Sequence, residues 1–140
     1  MKHLYRFAAG GLAYLLIEFV WRILMKHGDP AWVIIPMAGI VCVTVLWLDD
    51  KHLPLLLSSF VGAVLTITLE LIVGAICYYC FDGLRFWLYG RINFKGFIAL
   101  DWFFIWWGVC LGLVLARRLL WKWLSWRRAQ KGNKTDGTAV

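Results

Sequence analysis

Residues 54–81 read PLLLSSFVGAVLTITLELIVGAICYYCF and carry one charge, Glu70. A helix needs about 20 predominantly apolar residues to cross a hydrocarbon core roughly 30 Å thick. This stretch exceeds that length, so it can tilt or extend beyond the core. It lacks the period-two alternation of a membrane β-barrel strand. Three further apolar stretches flank it, at residues 7–25, 31–48 and 96–115, separated by short polar breaks. The pattern predicts an all-α integral membrane protein, a bundle of four transmembrane helices.

Composition agrees. The 140 residues are 62% hydrophobic and 16% charged, against about 45–50% apolar and about 25% charged in average soluble chains. Ten Trp residues point the same way, because Trp gathers at membrane–water interfaces. The net charge of +7 raises the question of nucleic acid. Seven of the fifteen basic residues follow Leu115, however, and a basic tail on an apolar body reads first as a membrane-surface feature. No nucleic-acid partner is expected. The four Cys are not spaced as a disulfide framework.

Lys2, His3 and Arg6 precede the first apolar run as they would in a secretory signal, but Glu18 and Arg22 interrupt that run and no small-residue cleavage site follows. It reads as a retained helix. With four spans, both termini and the break at residues 49–52 share one side, which holds Lys2, Arg6, Lys51, Arg117, Arg118, Lys122, Arg127, Arg128, Lys131 and Lys134. The other side holds Lys26, Arg85, Arg91 and Lys95. The positive-inside rule then places both termini in the cytoplasm of a cell (inner) membrane protein. Trp47, Trp121, Trp123 and Trp126 fall at the inner interface, and Trp21, Trp32, Trp87 and Trp102 towards the outer one.

The chain divides into a transmembrane domain, residues 1–118, and a basic, Trp-rich segment with a polar tail, residues 119–140. Arg117, Arg118, Lys122, Arg127 and Arg128 are the expected membrane-surface contacts. Residues 119–128 either extend helix four or lie along the inner leaflet, and the chain beyond Ala129 is polar enough to be disordered. The outer link between helices three and four contains Leu84, Phe86, Trp87, Leu88 and Tyr89. It is too apolar for an open loop and is expected at the outer interface.

The ionisable residues inside the spans are Glu18, Arg22, Glu70 and Asp101. At about 1.5 Å per residue they lie roughly 16, 22, 22 and 24 Å above the inner boundary. Intramembrane charges are costly and usually face the bundle interior, so one shared cluster is expected in the outer half of the membrane. Glu18 and Arg22 are i, i+4 neighbours in the favourable order. Ser59, Gly62, Ala63, Thr66, Glu70, Gly74 and Cys77 form one stripe of small and polar side chains on helix three. Asp101, Ile105, Gly108 and Gly112 fall on one side of helix four, with Gly108 and Gly112 in a GxxxG arrangement. Small residues permit close helix approach, so both faces are expected to pack. Two readings of the cluster stay open. It holds helices together, with Glu18–Arg22 self-neutralised and Glu70 hydrogen-bonded, or it binds a cationic or amphipathic ligand or a proton.

Other motifs carry less. Cys77-Tyr78-Tyr79-Cys80 has CxxC spacing but lies in a helical span, and no second Cys or His pair completes a zinc site. His3, His27 and His52 sit at span ends on both sides. Pro36 and Gly39 indicate a kink or a close approach in span two. P-loop, GxSxG and HExxH patterns are absent. Neither a metal nor another cofactor is expected.

Several segments resemble the ABC-transporter type IV (CmpB-like) family of small bacterial membrane proteins. They are Glu18-Phe19-Val20-Trp21-Arg22 in the first helix, His27-Gly28 and Trp32 before the second, and Leu69-Glu70 with Gly74 in the third. Asn93, Gly96, Ile98 and Leu100 follow, with Trp106 beyond. The resemblance runs from about residue 12 to residue 115. Trp87-Leu88-Tyr89-Gly90 replaces the family's Trp-Asp-Tyr-Ser, and Asp101 stands where members usually have Pro. The resemblance implies a small permease-like membrane protein. Independently of the resemblance, the charges inside the spans name Glu18, Arg22, Glu70 and Asp101 as the candidate ligand-binding residues, supported by Trp21, Thr66, Gly74, Trp87, Asn93 and Trp106.

Three functions compete. A transporter-associated subunit would work as a homo-oligomer or in a larger membrane complex, with a separate ATPase or a gradient for energy. A structural, assembly or lipid-binding protein would use its charges as mortar. A membrane enzyme would use Glu70 or Asp101 as acid or base, but no nucleophile or metal set accompanies them. A non-enzymatic role is expected.

Overall fold

The computed structural model describes residues 1–25, 33–85, 87 and 93–136; the side chains of Glu18, Trp21, Arg22, Met25, Asn93, Ala129 and residues 131–136 lie outside the description. His27, Trp32 and the replaced motif positions Leu88, Tyr89 and Gly90 also lie outside the described residues. Four helices dominate: α1 Lys2–Met25, α2 Ile34–Asp50, α3 Leu55–Cys80 and α4 Leu100–Asp136. Two of them, α3 and the Leu100–Arg128 part of α4, are long and apolar enough to cross a membrane.

Local chemistry sets the breaks. Pro36 falls in the first turn of α2, where a missing N–H costs no intrahelical bond. The helix ends at Asp50, and His52 turns the chain with a φ of 60°. Pro54, extended at φ −53° and ψ 139°, leads into α3. Beyond Cys80, Asp82 and Gly83 take positive φ, and the Gly83 N–H reaches back to the Tyr78 carbonyl at 3.0 Å.

The link between α3 and α4 is more ordered than the all-α expectation allows. A two-stranded antiparallel hairpin, β1 Asn93–Phe94 and β2 Ile98–Ala99, pairs Asn93 with Ala99 and Phe94 with Ile98. Lys95 and Gly96 at its tip both have positive φ, as a type I′ turn requires. The hairpin folds onto the end of α3. Phe97 is buried, and a side chain on Gly74 would meet the Phe97 and Trp87 rings. The Trp87 Nε1–H donates to the Phe97 carbonyl at 3.0 Å, and the Arg85 guanidinium lies 4.5 Å from the Tyr78 ring centre. Apolar residues in the link thus cover α3 rather than lying loose.

α2 and α4 share a core of Val41, Val45, Cys110 and Val114, against which Leu55, Leu65 and Leu69 of α3 pack. Gly62 is where α3 comes close to both neighbours. A Cβ there would fall 2.4 Å from Val45 Cγ2 and 2.8 Å from Cys110 Sγ. α1 packs along α2, with Phe7 lying over Gly39. That is the close approach anticipated for span two.

On α3 the buried face is the anticipated stripe: Ser59, Gly62, Ala63, Thr66, Glu70, Gly74 and Cys77 are all buried, with Ser58 beside them. On α4 the anticipated face is wrong. Asp101, Ile105, Gly108 and Gly112 are exposed, and nothing lies within 4 Å of a side chain added at either glycine. Trp106, Cys110 and Val114 turn inward instead. The physical reason is area and hydrogen bonding. Large aromatic rings bury more apolar surface than a glycine groove, and the indole N–H groups of Trp106 and Trp107 find acceptors on α3.

In the C-terminal segment α4 continues through residues 119–128, one of the two alternatives read from the sequence, and on to Asp136, past Ala129, where the polar composition suggests disorder. Extending an existing helix avoids the costly nucleation step, so a polar sequence that could not start a helix can prolong one.

Candidate functional site

Glu70 is 6% exposed, a carboxylic acid buried on the inner face of α3. Its Oε1 accepts a hydrogen bond from Trp106 Nε1 at 2.9 Å. Around that indole stand Tyr14 of α1, with ring centres 5.4 Å apart, and Trp102, one turn back on α4, at 6.2 Å. Three helices therefore bring a carboxyl group and aromatic rings together. Below it, the stripe hydroxyls are partly spent on their own helix. Thr66 donates to the Gly62 carbonyl at 2.9 Å. Ser59 donates to the Leu55 carbonyl at 2.9 Å and accepts from Trp107 Nε1 at 3.0 Å. This back-bonding satisfies a hydroxyl without a partner helix.

Chemically, a buried carboxyl group beside indole and phenol rings can take up or release a proton. As a carboxylate it can hold a cation, whose charge the ring faces also attract. Of the predicted site residues, the structure brings Glu70 and Trp106 into contact and places Thr66 one turn below Glu70 on the buried face. Gly74 and Trp87 meet one turn above. Asp101 does not join them; it is exposed in the first turn of α4, where a carboxylate favours the positive end of the helix dipole. The backbone of Glu18, Trp21 and Arg22 lies in α1 and that of Asn93 in β1, with their side chains outside the described residues.

A second constellation was not anticipated as a site. Asp49 and Asp50 end α2, where the helix dipole disfavours negative charge, and α2 has no basic residue in its last turn. The compensation comes from other helices. Arg117 of α4 donates to Asp49 at 2.5 Å, to Asp50 and to the Leu46 carbonyl at 3.3 Å. Arg118 places Nε and Nη2 on Asp49 Oδ1 at 2.9 and 2.6 Å. From α1, Lys2 and Arg6 each lie 2.8 Å from Asp50 Oδ2. The Arg6 hydrogen bond pulls the Asp50 carboxyl well below the usual carboxylate range, against the opposing effect of burial and with further help from Lys2 and Arg117. Four cations thus meet two carboxylates at one corner of three helices. The signal was present in sequence: Asp49-Asp50 and Arg117-Arg118 sit at the same edge in the four-span reading, and Lys2 and Arg6 share it.

Cys77 is buried and Cys80 exposed, and all four cysteines are free. Among the described residues, no group of three His, Cys, Asp or Glu side chains could hold a metal ion. The chain matches no family model, no curated protein and no solved structure.

Proposed function

We propose that this chain is a small polytopic protein of the cell (inner) membrane, four helices with both termini cytoplasmic, serving as a transporter-associated, permease-like subunit. It binds a proton or a cationic or amphipathic ligand at Glu70, with Glu18 and Arg22 at similar depth on α1. Asp101, exposed at the outer end of α4, is the carboxylate an arriving cation meets first. The observation that carries this reading is the burial of Glu70 against Trp106, Tyr14 and Trp102, since an ionisable residue inside a membrane is expensive and is a functional candidate by default. The membrane setting is supported by two helices of spanning length and apolarity. It is supported too by exposed apolar side chains along α1, among them Leu12, Leu16, Phe19, Val20 and Ile23. A patch of that size is a liability in water and ordinary against lipid. The resemblance to CmpB-like proteins fits the same role. Energy would come from a separate ATPase or a gradient, and the working form would be a homo-oligomer or a larger complex, without catalysis of its own.

Native mass spectrometry from lipid nanodiscs, wild type against Glu70→Gln, tests this. A small molecule, lipid or partner subunit carried by the wild type and lost in the variant supports the site. Equal cargo on both proteins would remove it. A second reading has its own support: the Asp49/Asp50 corner is mortar between helices, and a protein built this way could be a structural, assembly or lipid-binding factor in which Glu70 only holds α4.

A further inference from the structure

The charge corner is not balanced. Lys2, Arg6, Arg117 and Arg118 face Asp49 and Asp50, so two positive charges remain after pairing. The least covered cations are Lys2, whose side chain is 63% exposed, and Arg118, at 45%. α4 places this corner at a defined height. From Leu100 to Arg118 the helix rises roughly 27 Å at about 1.5 Å per residue, close to the ~30 Å core. Arg117 and Arg118 therefore emerge where hydrocarbon gives way to headgroups. The helix does not stop there. Its next turns expose Lys122, Arg127 and Arg128 together with Leu119, Leu120, Trp121, Trp123 and Trp126, and the Arg127 guanidinium rests 4.1 Å from the Trp123 ring centre. Trp121, Leu124, Ser125 and Arg128 line a shallow groove along one face.

We propose that the corner and the first turns of α4 beyond it form one binding surface for anionic lipid headgroups of the inner leaflet. The inference rests on the membrane-spanning reading above. Charge complementarity selects this occupant. A second copy docked in parallel along α4 would set Lys122 and Arg127 beside their own counterparts, whereas phosphate-bearing headgroups neutralise the excess. Trp rings suit the same layer, since their apolar bodies and N–H groups favour the interface. Residues on the corner order the site: Asp49 and Asp50 hold the arginines in place, and the surplus charge points outward through Lys2, Arg118 and Lys122.

The test reconstitutes the full chain in nanodiscs of mixed phosphatidylcholine and phosphatidylglycerol, then counts retained lipids by native mass spectrometry. The wild type should retain phosphatidylglycerol preferentially. The triple variant Lys122→Gln, Arg127→Gln, Arg128→Gln leaves the corner intact and should lower that preference at least tenfold, given roughly fivefold per basic residue near an anionic surface. Lys2→Gln should lower it by about fivefold, while Arg127→Lys should keep it. Equal retention of both lipids by the wild type, or an unchanged preference in the triple variant, overturns the headgroup site. So does a dimer or protein partner bound through residues 119–128 in place of lipid. Failure of the chain to enter nanodiscs at all would instead remove the membrane-spanning reading, and the headgroup site with it.

Discussion

Among the described residues, carboxylates meet packed helices at two places, and their surroundings differ. At the charge corner, Asp49 and Asp50 sit at the unfavourable end of α2 and are matched by four cations from α1 and α4. Between α3 and α4, Glu70 is buried with a neutral indole donor on Oε1. The first arrangement overcompensates charge with charge and fixes three helices relative to one another. The second pins one carboxyl oxygen with a donor that works whether or not the group is ionised. The functional reading is placed at Glu70 because its carboxyl is buried among aromatic side chains inside the apolar helices, where an ionisable group is costly, and the structural one at the corner, where the acids end α2.

The sharpest way to break the comparison is to remove the acids at the corner. Asp49→Ala with Asp50→Ala leaves four cations together without counter-charge, and the loss of stability should be about 3 kcal/mol, the low end for breaking a buried pair, because Lys2, Arg117 and Arg118 are 63, 33 and 45% exposed. Thermal unfolding in detergent measures it, and a loss under about 1 kcal/mol would mean the pairs are ornamental surface contacts. The corresponding truncation at the other region is Glu70→Ala. It strips the acceptor from the Trp106 indole, for which an unsatisfied buried donor costs about 1–3 kcal/mol. The indole offers an internal check: Trp106→Phe removes the donor instead and should lose part of its effect in the Glu70→Ala background, as contacting residues do in a double-mutant cycle.

Legibility in the sequence followed the same division. The stripe from Ser59 to Cys77 was readable because Gly, Ala, Ser and Thr at helical spacing among Leu and Ile can only mean close approach, and every member is buried. Glu70 was readable as the single charge in a long apolar run. The face of α4 was not, because GxxxG spacing and a Trp-rich face both promise packing, and periodicity alone does not say which wins. The outcome depended on acceptors supplied by α3 at Ser59 and Glu70, a tertiary fact. The hairpin at Lys95-Gly96 was missed for a different reason: two-residue strands carry too little alternation to register. The corner is harder to read because its four basic residues enter a count for orientation, while their pairing with Asp49 and Asp50 depends on the packing of three helices.

Acid should separate the two regions next. The folded Asp50 carboxyl titrates well below its ordinary value, while the unfolded chain follows an unperturbed pKa of about 3.9. A group whose folded pKa is depressed contributes stability that is fully present above the unfolded pKa and is lost as pH falls through that value towards the folded one. Wild type should therefore keep this contribution from neutral pH down to about pH 5 and lose it progressively below about pH 4. Asp50→Asn should start less stable at neutral pH and converge on the wild type in strong acid. Melting curves at pH 7, 5 and 3 check it, and parallel curves with no convergence would mean Asp50 carries no pH-linked stability. Raising salt should shrink the neutral-pH gap as well, because Lys2 and Arg118 are open to screening.

The smallest effect on stability should carry the largest functional information. Glu70→Gln keeps an oxygen that can accept from Trp106 Nε1 and matches the original side chain in shape, so the contribution of that contact should change by under about 1 kcal/mol. What it removes is the capacity for negative charge and for proton exchange. If Glu70 is mortar, Gln serves nearly as well, and melting temperature, assembly and bound cargo all stay put. If Glu70 is the binding group, stability stays put while bound cargo, or the proton released on adding a cationic ligand, disappears, a split that no purely structural role produces. Proton release measured on adding a cationic amphiphile to wild type and to Glu70→Gln reads that split directly. A signal of equal size in both would move the titrating group away from Glu70 and leave the indole contact as packing.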